Sequence, residues 1–388
     1  MTYPRCGIYA SLRNKDQVLA PNGVLDRERI GKLARWSDVV LDLGPLIEQP
    51  EIVAALREAN PAIRIWAYVV MGWWPVDQWH PIFFQRFSEI VHRTNGRVFK
   101  TDGSEWGVNF TDSTTVNALA ALIAEYLPGF DALFLDVYCA RVSNVAASGL
   151  DYKKAGFATE DGFAGAWATG HAAMVPLIRD KAGRPDLIVS GNCGPGSHAD
   201  VNGWMRENWP YLNGGTWASN MLEFIEPNGT RSPGLLNETY REPRASWLVT
   251  NPAYGGPAAP ENRRRERYGL ASACLGGAFH SFMRGEWDSQ WCIDRLDFYS
   301  PAYRHPQRGM HWLGEPIETA YGHDDGLWAR RFQFGISIVN PTDKPISWRG
   351  PVLYRPIGGT AQDPTHVVGA AKKAFSVPAR DALIAEAV

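Results

Sequence analysis

Short apolar runs alternate with amphipathic stretches along the first three quarters of the chain. Most of these runs are continuous rather than strictly alternating, as is typical of strands that are covered on both faces of a parallel sheet. The stretches between them carry apolar residues at helical spacing. This order predicts repeated βαβ units. The eight predicted strands are Gly7–Leu12, Val39–Leu43, Ile63–Val70, Ala132–Tyr138, Leu187–Asn192, Thr216–Phe224, Ala245–Thr250 and Gly277–Phe282.

Three further segments complete the pattern of the barrel region. Asp112 and Ser113 form a good N-cap for a helix whose apolar residues make a single stripe. The charged run Asn262–Arg267 begins another helix, and we interpret its arginines as a solvated face. The segment from Met71 to Thr111 lacks a clear period and is interpreted as a long loop over the mouth of a barrel.

The pattern changes after about Tyr303, where short alternating strands and turns replace the helices. Examples are Trp328–Val339 and Pro351–Tyr354. The chain of 388 residues is long enough for a barrel, which needs roughly 250 residues, and one small appendage. We therefore predict an α/β fold, a (β/α)8 TIM barrel at 1–310 followed by a small antiparallel β-sandwich-like domain at 311–388.

Composition removes several classes of function. The net charge is −2, so the basic patches that bind nucleic acid are not expected. No run of about 20 apolar residues predicts a membrane span. Five cysteines without a C-x-x-C pair favour buried thiols over disulfides or structural zinc. Without H-E-x-x-H, P-loop or G-x-G-x-x-G motifs, we expect neither a metal nor a cofactor.

The N-terminus shows no secretory signal peptide. Three locations are consistent with that pattern: the cytoplasm, a phage particle, or secretion after the signal has been removed. The oligomeric state is left open.

Two carboxylates stand out at the predicted mouth, where the C-terminal ends of barrel strands meet. Asp136 follows four apolar residues at the end of the fourth predicted strand, and Glu223 lies among apolar residues near the end of the sixth. Glycoside hydrolysis uses such a pair. We predict Asp136 as the nucleophile and Glu223 as the general acid/base of a retaining enzyme. The alternative for each is a structural carboxylate, which for Asp136 would bind backbone N–H groups of the next loop.

A second set of side chains is predicted to bind a sugar. The chain holds 16 tryptophans, and the pair Trp73–Trp74 falls in the long loop, where flat aromatic faces can stack on sugar rings. The alternative is that these two rings plug the barrel mouth. The remaining predicted substrate-binding residues are Asp42, Tyr68, Tyr138, Asn192, Asn251, His280 and Arg284.

Three motifs resemble one group of barrel proteins classed with glycoside hydrolases and related at fold level to the polygalactosaminidase type. FDALFLDVY, which contains Asp136, resembles their G-x-D-G-x-F-L-D strand, and Glu223 in NMLEF resembles their second acidic position. RRFQFGISIVNPT resembles their closing F-x-N-G-x-x-x-V-N-P-T segment, with Phe334 where Asn is common. The resemblance implies a sugar-active barrel with a carbohydrate substrate.

The resemblance extends to the α-galactosidase clan, whose members place the nucleophile on strand 4 and the acid/base on strand 6. The chain departs from the large clan with an Asn–Glu acid/base on strand 4 and a Glu nucleophile on strand 7, because strand 7 here ends at Thr250 and Asn251. The principal expectation is therefore a glycoside hydrolase. The alternatives are a non-catalytic carbohydrate-binding barrel or phage accessory protein, a metal-dependent enzyme, and a lyase that uses Tyr138 and Arg141.

Overall fold

The fold is that of a computed structural model. It describes residues 2–9, 25–42, 50–71, 81–94, 96–99, 101–103, 105–138, 149–192, 200–210, 216–225, 240–251, 260–282, 304–305, 308–357 and 370–388.

Eight parallel strands form the central sheet, in the order in which they occur along the chain. Backbone pairing between Cys6 and His280 brings the last strand back to the first, with the His280 N–H donating to the Arg5 carbonyl at 2.9 Å, so that the sheet closes. The TIM-barrel prediction is thereby confirmed. The barrel strands are β1 (Gly7–Tyr9), β2 (Asp38–Asp42), β3 (Arg64–Val70), β6 (Ala132–Asp136), β7 (Ile188–Gly191), β8 (Gly203–Trp209), β9 (Trp247–Thr250) and β10 (Phe279–Phe282).

Helices cover the outside of the barrel. The N-cap prediction at Asp112 is confirmed, since its carboxylate accepts hydrogen bonds from the N–H groups of Thr114 at 3.2 Å and Thr115 at 3.0 Å. The helices are α1 (Arg27–Leu33), α2 (Glu51–Ala59), α3 (Pro81–Arg93), α4 (Ser113–Tyr126), α5 (Glu160–Lys181), α6 (Trp217–Ile225) and α7 (Pro260–Gly276). None of the helices described is long and apolar enough to cross a lipid bilayer.

The barrel interior is filled by aromatic side chains. The rings of Trp66 and Trp247 meet edge to face at 5.4 Å, and Phe279 stacks on Trp247 at 4.8 Å. A methyl group at Gly7 of β1 would lie 2.5 Å from the Trp247 indole, which reaches across the barrel interior, so this position requires a glycine. Asp38 accepts the indole N–H of Trp66 at 2.9 Å, which satisfies a polar atom deep in the core. Much of the unusual tryptophan content therefore packs the core.

Two secondary-structure predictions are wrong. The sixth barrel strand is β8, because the predicted strand Thr216–Phe224 forms helix α6. The Thr216 hydroxyl accepts the N–H of Ser219 at 3.1 Å, which is an N-cap contact, and Trp217 and Met221 are buried one helical turn apart. The interpretation of 71–111 as a loop is also wrong. That region contains α3 and an antiparallel hairpin of β4 (Arg97–Phe99) and β5 (Glu105–Val108).

The C-terminal part forms the predicted antiparallel β domain, as one six-stranded sheet among the described residues. A two-stranded ribbon of β11 (Arg304–His305) and β12 (Gly309–Met310) precedes it. The domain boundary between residues 310 and 311 stays a prediction. The strands of the sheet are β13 (Tyr321–Gly322), β14 (Trp328–Phe332), β15 (Gly335–Asn340), β16 (Ile346–Pro356), β17 (Lys372–Val377) and β18 (Asp381–Ala387).

Helix α7 joins this sheet to the barrel, and the interpretation of its charged run as a solvated face is wrong for the last two residues of that run. Glu266 and Arg267 are buried. The Arg267 guanidinium forms two hydrogen bonds to the Asp381 carboxylate, with Nη2–Oδ2 at 2.7 Å and Nε–Oδ1 at 3.0 Å. Asp381 begins β18, so the charge that the sequence places on the helix surface is buried by the second domain.

We expect Asp381→Ala to lower the free energy of unfolding by roughly 3–5 kcal/mol, because it removes the carboxylate that pairs with the buried Arg267 guanidinium. Glu58→Ala is the matched control. It breaks an ion pair with Arg27 in which both side chains are about 70% exposed, and should cost about 1 kcal/mol or less. Urea denaturation of the full chain measures both. Equal losses would contradict the anchoring role of the buried pair.

Candidate active site

Asp136 ends barrel strand β6, and three donors hold its half-buried carboxylate. Oδ1 accepts the backbone N–H of Val137 at 2.8 Å and the Asn192 amide at 2.9 Å. Oδ2 accepts the Tyr68 hydroxyl in a short hydrogen bond. Donors that point at a carboxylate stabilise its negative charge and fix its orientation. The Val137 N–H contact is the one expected of a purely structural carboxylate. The contacts with Tyr68 and Asn192 are additional and come from the two neighbouring strands.

The backbone after Asp136 has an unusual conformation. Val137 has φ of 49°, a region that a β-branched residue rarely enters. Such strain persists where the surrounding structure enforces it, and it is concentrated at functional sites. Here the turn brings the Val137 N–H back onto the carboxylate of the preceding residue.

A second carboxylate, which sequence reasoning missed, lies on the sixth barrel strand. Glu207 belongs to β8 and is half-buried. The register between β8 and β9 shifts between Arg206 and Trp209, and Asn208 has φ of 62°. This is a β-bulge, a feature that redirects side chains next to active sites. The Asn192 amide nitrogen, 2.9 Å from Asp136, is also 3.4 Å from Glu207 Oε2.

Two predicted substrate-binding residues, Asp42 and Asn251, lie beside this pair. Asp42 ends β2 on the face that also carries Asp38, whose carboxylate contacts the interior residue Trp66. Its backbone pairs with that of Tyr68, the donor to Asp136. Asp42 is buried, so its carboxylate lies in the inner part of the mouth.

Asn251 is half-buried at the end of β9 and contacts Asn208 in the bulge through a short side-chain hydrogen bond. Asp42, Tyr68, Asn192 and Asn251 are therefore near the carboxylate pair in the fold, and their role in substrate binding stays a prediction.

The structure contradicts the predictions for Tyr138 and His280. Tyr138 is 1% exposed, is stacked on His171 at 3.5 Å between ring centroids, and donates its hydroxyl to the His171 carbonyl. Burial raises the pKa of Tyr138 well above its usual value. The ring thus packs beneath α5, where it can neither bind a sugar nor serve as the base of a lyase.

His280 points away from the barrel interior. Its Nε2 lies 3.2 Å from the Thr250 hydroxyl, and a methyl group at Gly269 of α7 would meet the same nitrogen at 2.6 Å. The imidazole is therefore enclosed between the sheet and the outer helix, because β10 turns this side chain outward while the neighbouring Phe279 faces inward. Burial lowers the pKa of His280 to about 3.

This buried imidazole predicts a pH effect on stability. Between pH 6.5 and about 3 the unfolded chain binds a proton that the folded chain excludes, so the contribution of His280 is present above pH 6.5 and is lost as the pH falls. Relative to His280→Gln, we expect the wild type to lose up to about 1.4 kcal/mol per pH unit in this window. Urea unfolding at several pH values measures the difference. Parallel curves for the two proteins would contradict it.

Five predicted residues are not located with their side chains. Trp73, Trp74, Arg284 and the lyase candidate Arg141 lie outside the described residues. Glu223 lies in α6, and only its backbone is described. The strand-end argument for Glu223 no longer applies, since Glu223 belongs to helix α6 and not to a barrel strand. Its role as acid/base stays untested.

The β4–β5 hairpin is joined to the described residues that precede α5. The hairpin of β4 and β5 binds the segment after β6, with the Thr101 N–H donating to Gly149 at 2.7 Å and the Asp151 N–H to Phe99 at 2.8 Å. The Lys154 ammonium lies 3.6 Å from the centre of the Phe99 ring.

Within the described ranges, no three His, Cys, Asp or Glu side chains are grouped so as to hold a metal ion.

Comparison with known proteins gives one family match. The model of the hypothetical glycosyl hydrolase family 15 matches residues 67–336, which include both Asp136 and Glu207. No curated protein sequence matches the chain significantly.

Several solved structures have a similar fold. A noncanonic maltogenic α-amylase, AmyB from Thermotoga neapolitana, has a TM-score of 0.51 at 11% identity over 100% of both chains. The α-glucosyl transfer enzyme XgtA has a TM-score of 0.55 at 10% identity over 99% of both chains. The GH36 α-galactosidase AgaB from Geobacillus stearothermophilus has a TM-score of 0.51 at 10% identity, over 99% of this chain and 55% of that one. At these identities the likeness shows the fold alone.

Proposed function

Because this chain belongs to the hypothetical glycosyl hydrolase family 15, we propose that it hydrolyses a glycosidic bond, with Asp136 as the nucleophile and Glu207 as the general acid and base. The observation that carries this proposal is the pair of carboxylates at the ends of β6 and β8, which share the amide of Asn192. Two carboxyl groups that flank one cleft are the minimum set for this chemistry.

The separation of the pair favours retention of configuration. Asp136 Oδ1 and Glu207 Oε2 contact the same Asn192 nitrogen, at 2.9 and 3.4 Å. The distance between these two oxygens therefore cannot exceed the sum of the two contact distances. This limit applies to the nearest oxygens of the two groups, and it supports retention because it includes the approximately 5–5.5 Å separation of retaining enzymes.

The reaction then proceeds in two displacements. In the first, Asp136 attacks the anomeric carbon while Glu207 gives its proton to the glycosidic oxygen, so that the bond to the leaving sugar breaks and a glycosyl ester forms. In the second, the Glu207 carboxylate takes a proton from water, and that water displaces Asp136. The three donors on Asp136 orient the nucleophile and stabilise it again as it leaves.

Glu207 is preferred to Glu223 because of its place in the fold. The acid/base must reach the same cleft as the nucleophile, and Glu207 lies on a barrel strand within contact of a residue that binds Asp136. Glu223 belongs to a helix on the outer layer. Asp42, Tyr68 and Asn251 complete the proposed mouth as contacts for sugar hydroxyls. Trp73, Trp74 and Arg284 remain proposed sugar contacts from the sequence alone.

The test is a screen of aryl glycosides followed by product stereochemistry. The panel should contain α- and β-linked 4-nitrophenyl and 2,4-dinitrophenyl glucosides, galactosides and galactosaminides, since the similar structures include an α-amylase and an α-galactosidase. Proton NMR of the first-formed sugar gives the anomer. Retention supports the proposal, inversion would contradict the retaining mechanism, and binding without turnover of any glycoside would contradict the hydrolase function.

A further inference from the structure

The side-chain amide of Asn192 contacts both proposed catalytic carboxylates. Its amide nitrogen lies 2.9 Å from Asp136 and 3.4 Å from Glu207. An amide carries two N–H groups, so one side chain can donate to both carboxylates. Asn192 therefore contacts both members of the pair.

The backbone of Asn192 is held on both sides. Its N–H donates to the Leu135 carbonyl at 2.9 Å, and its own carbonyl accepts the N–H of Tyr138 at 3.0 Å. These two bonds bracket Asp136, so the residue after β7 is fixed to the same turn that carries the nucleophile. The backbone of Asn192 is thereby fixed relative to the turn that contains Asp136 and Val137.

We propose that Asn192 is a positioning residue that holds the two carboxylates at the separation a retaining reaction needs. This inference rests on the proposed function. Two like charges in a partly buried cleft repel each other, and a donor placed between them offsets that repulsion. The N–H contact also makes Oε2 of Glu207 an acceptor, so when Glu207 is protonated the acidic proton is carried by the other oxygen, Oε1.

A positioning role and a substrate contact give different kinetic results. Loss of a contact that binds substrate and transition state equally raises KM and leaves kcat unchanged. Loss of a positioning residue lowers kcat, because the reacting groups are misplaced, and also moves the acid limb of the pH–rate profile. Asp136 must be ionised to attack, and both a lost donor and an added negative charge make that harder.

The experiment uses Asn192→Ala, Asn192→Asp and, for comparison, Asn251→Ala, on the 2,4-dinitrophenyl glycoside that the wild type hydrolyses fastest. We expect Asn192→Ala to lower kcat about 10- to 100-fold, a range that mispositioning of reacting groups can produce, with little change in KM. The acid limb should move upward, by about 1 pH unit or more in Asn192→Asp. Asn251→Ala, which contacts neither carboxylate in the described structure, should leave the acid limb in place.

Crystal structures of the wild type and Asn192→Ala in one crystal form give a second readout that needs no turnover. We expect the closest oxygens of Asp136 and Glu207 to move apart in the variant. An unchanged separation, or a rise in KM alone, would overturn the positioning role. Failure of the proposed function is distinguishable, because the wild type itself would then turn over no glycoside, whereas failure of the positioning role leaves wild-type turnover intact and spares kcat in Asn192→Ala.

Discussion

Asp136→Asn is expected to lower kcat/KM by at least about 10³-fold on every glycoside, because an amide cannot form the glycosyl ester on which both displacements depend. The fold should survive, since the amide has the size of the carboxylate and its oxygen can still accept the Val137 N–H. Rates on the best 2,4-dinitrophenyl glycoside of the panel measure the effect. Asp161→Asn, in the exposed first turn of α5, is the matched control and should keep wild-type activity.

A loss of rate alone would not distinguish a nucleophile from a structural carboxylate, but azide rescue does. In Asp136→Ala the space left beside the anomeric carbon admits azide, which attacks from the face that Asp136 used. We expect partial recovery of rate and a glycosyl azide of the opposite anomeric configuration to the substrate. If azide has no effect and the variant unfolds at lower urea concentrations than Asp136→Asn, Asp136 has the structural role instead.

The sequence predicts most of the barrel because buried parallel strands leave a strong signal. Continuous apolar runs such as ALFLD need no knowledge of their neighbours to be recognised. Strand β8 has the sequence GWMRENW. Its second half carries three consecutive polar residues, Arg206, Glu207 and Asn208, which are not fully buried. The apolar TWASNMLEF is a better match to a strand, yet Thr216 caps it and its buried residues recur at helical spacing. The error therefore arose where polar residues interrupt the apolar pattern of a barrel strand.

The same reason explains which site residues were found. Asp136 and Asn192 follow strongly apolar strands, so their position at the mouth could be predicted. The direction of the Glu207 side chain depends on the bulge in β8. A bulge is a property of the pairing between β8 and β9, so the sequence of one strand gives no clear signal of it. His280 was misassigned because a strand-end position does not fix the direction of a side chain. The contact with Thr250 and the close approach to Gly269 of α7 show that it faces outward.

Glu207→Gln is expected to give the second large effect, and its size should depend on the leaving group. General acid catalysis contributes about 10²–10⁴-fold when the leaving oxygen needs a proton. We therefore expect a loss of this size on a 4-nitrophenyl glycoside and natural oligosaccharides. The first displacement with a 2,4-dinitrophenyl glycoside should be much less affected, because that leaving group departs without protonation. Burst kinetics separate the two displacements.

Glu223→Gln is the matched comparison, since both variants convert one glutamate to its amide on the segment from β8 to α6. If Glu207 is the acid/base, Glu223→Gln should keep wild-type rates with both leaving groups. Azide should rescue Glu207→Ala and give a glycosyl azide of the same configuration as the substrate, because the first displacement has already inverted the centre once. If Glu223→Gln loses activity while Glu207→Gln keeps wild-type activity, the assignment is reversed. Glu223 of helix α6 would then be the proton donor, and the bulge in β8 would not serve to position the acid/base.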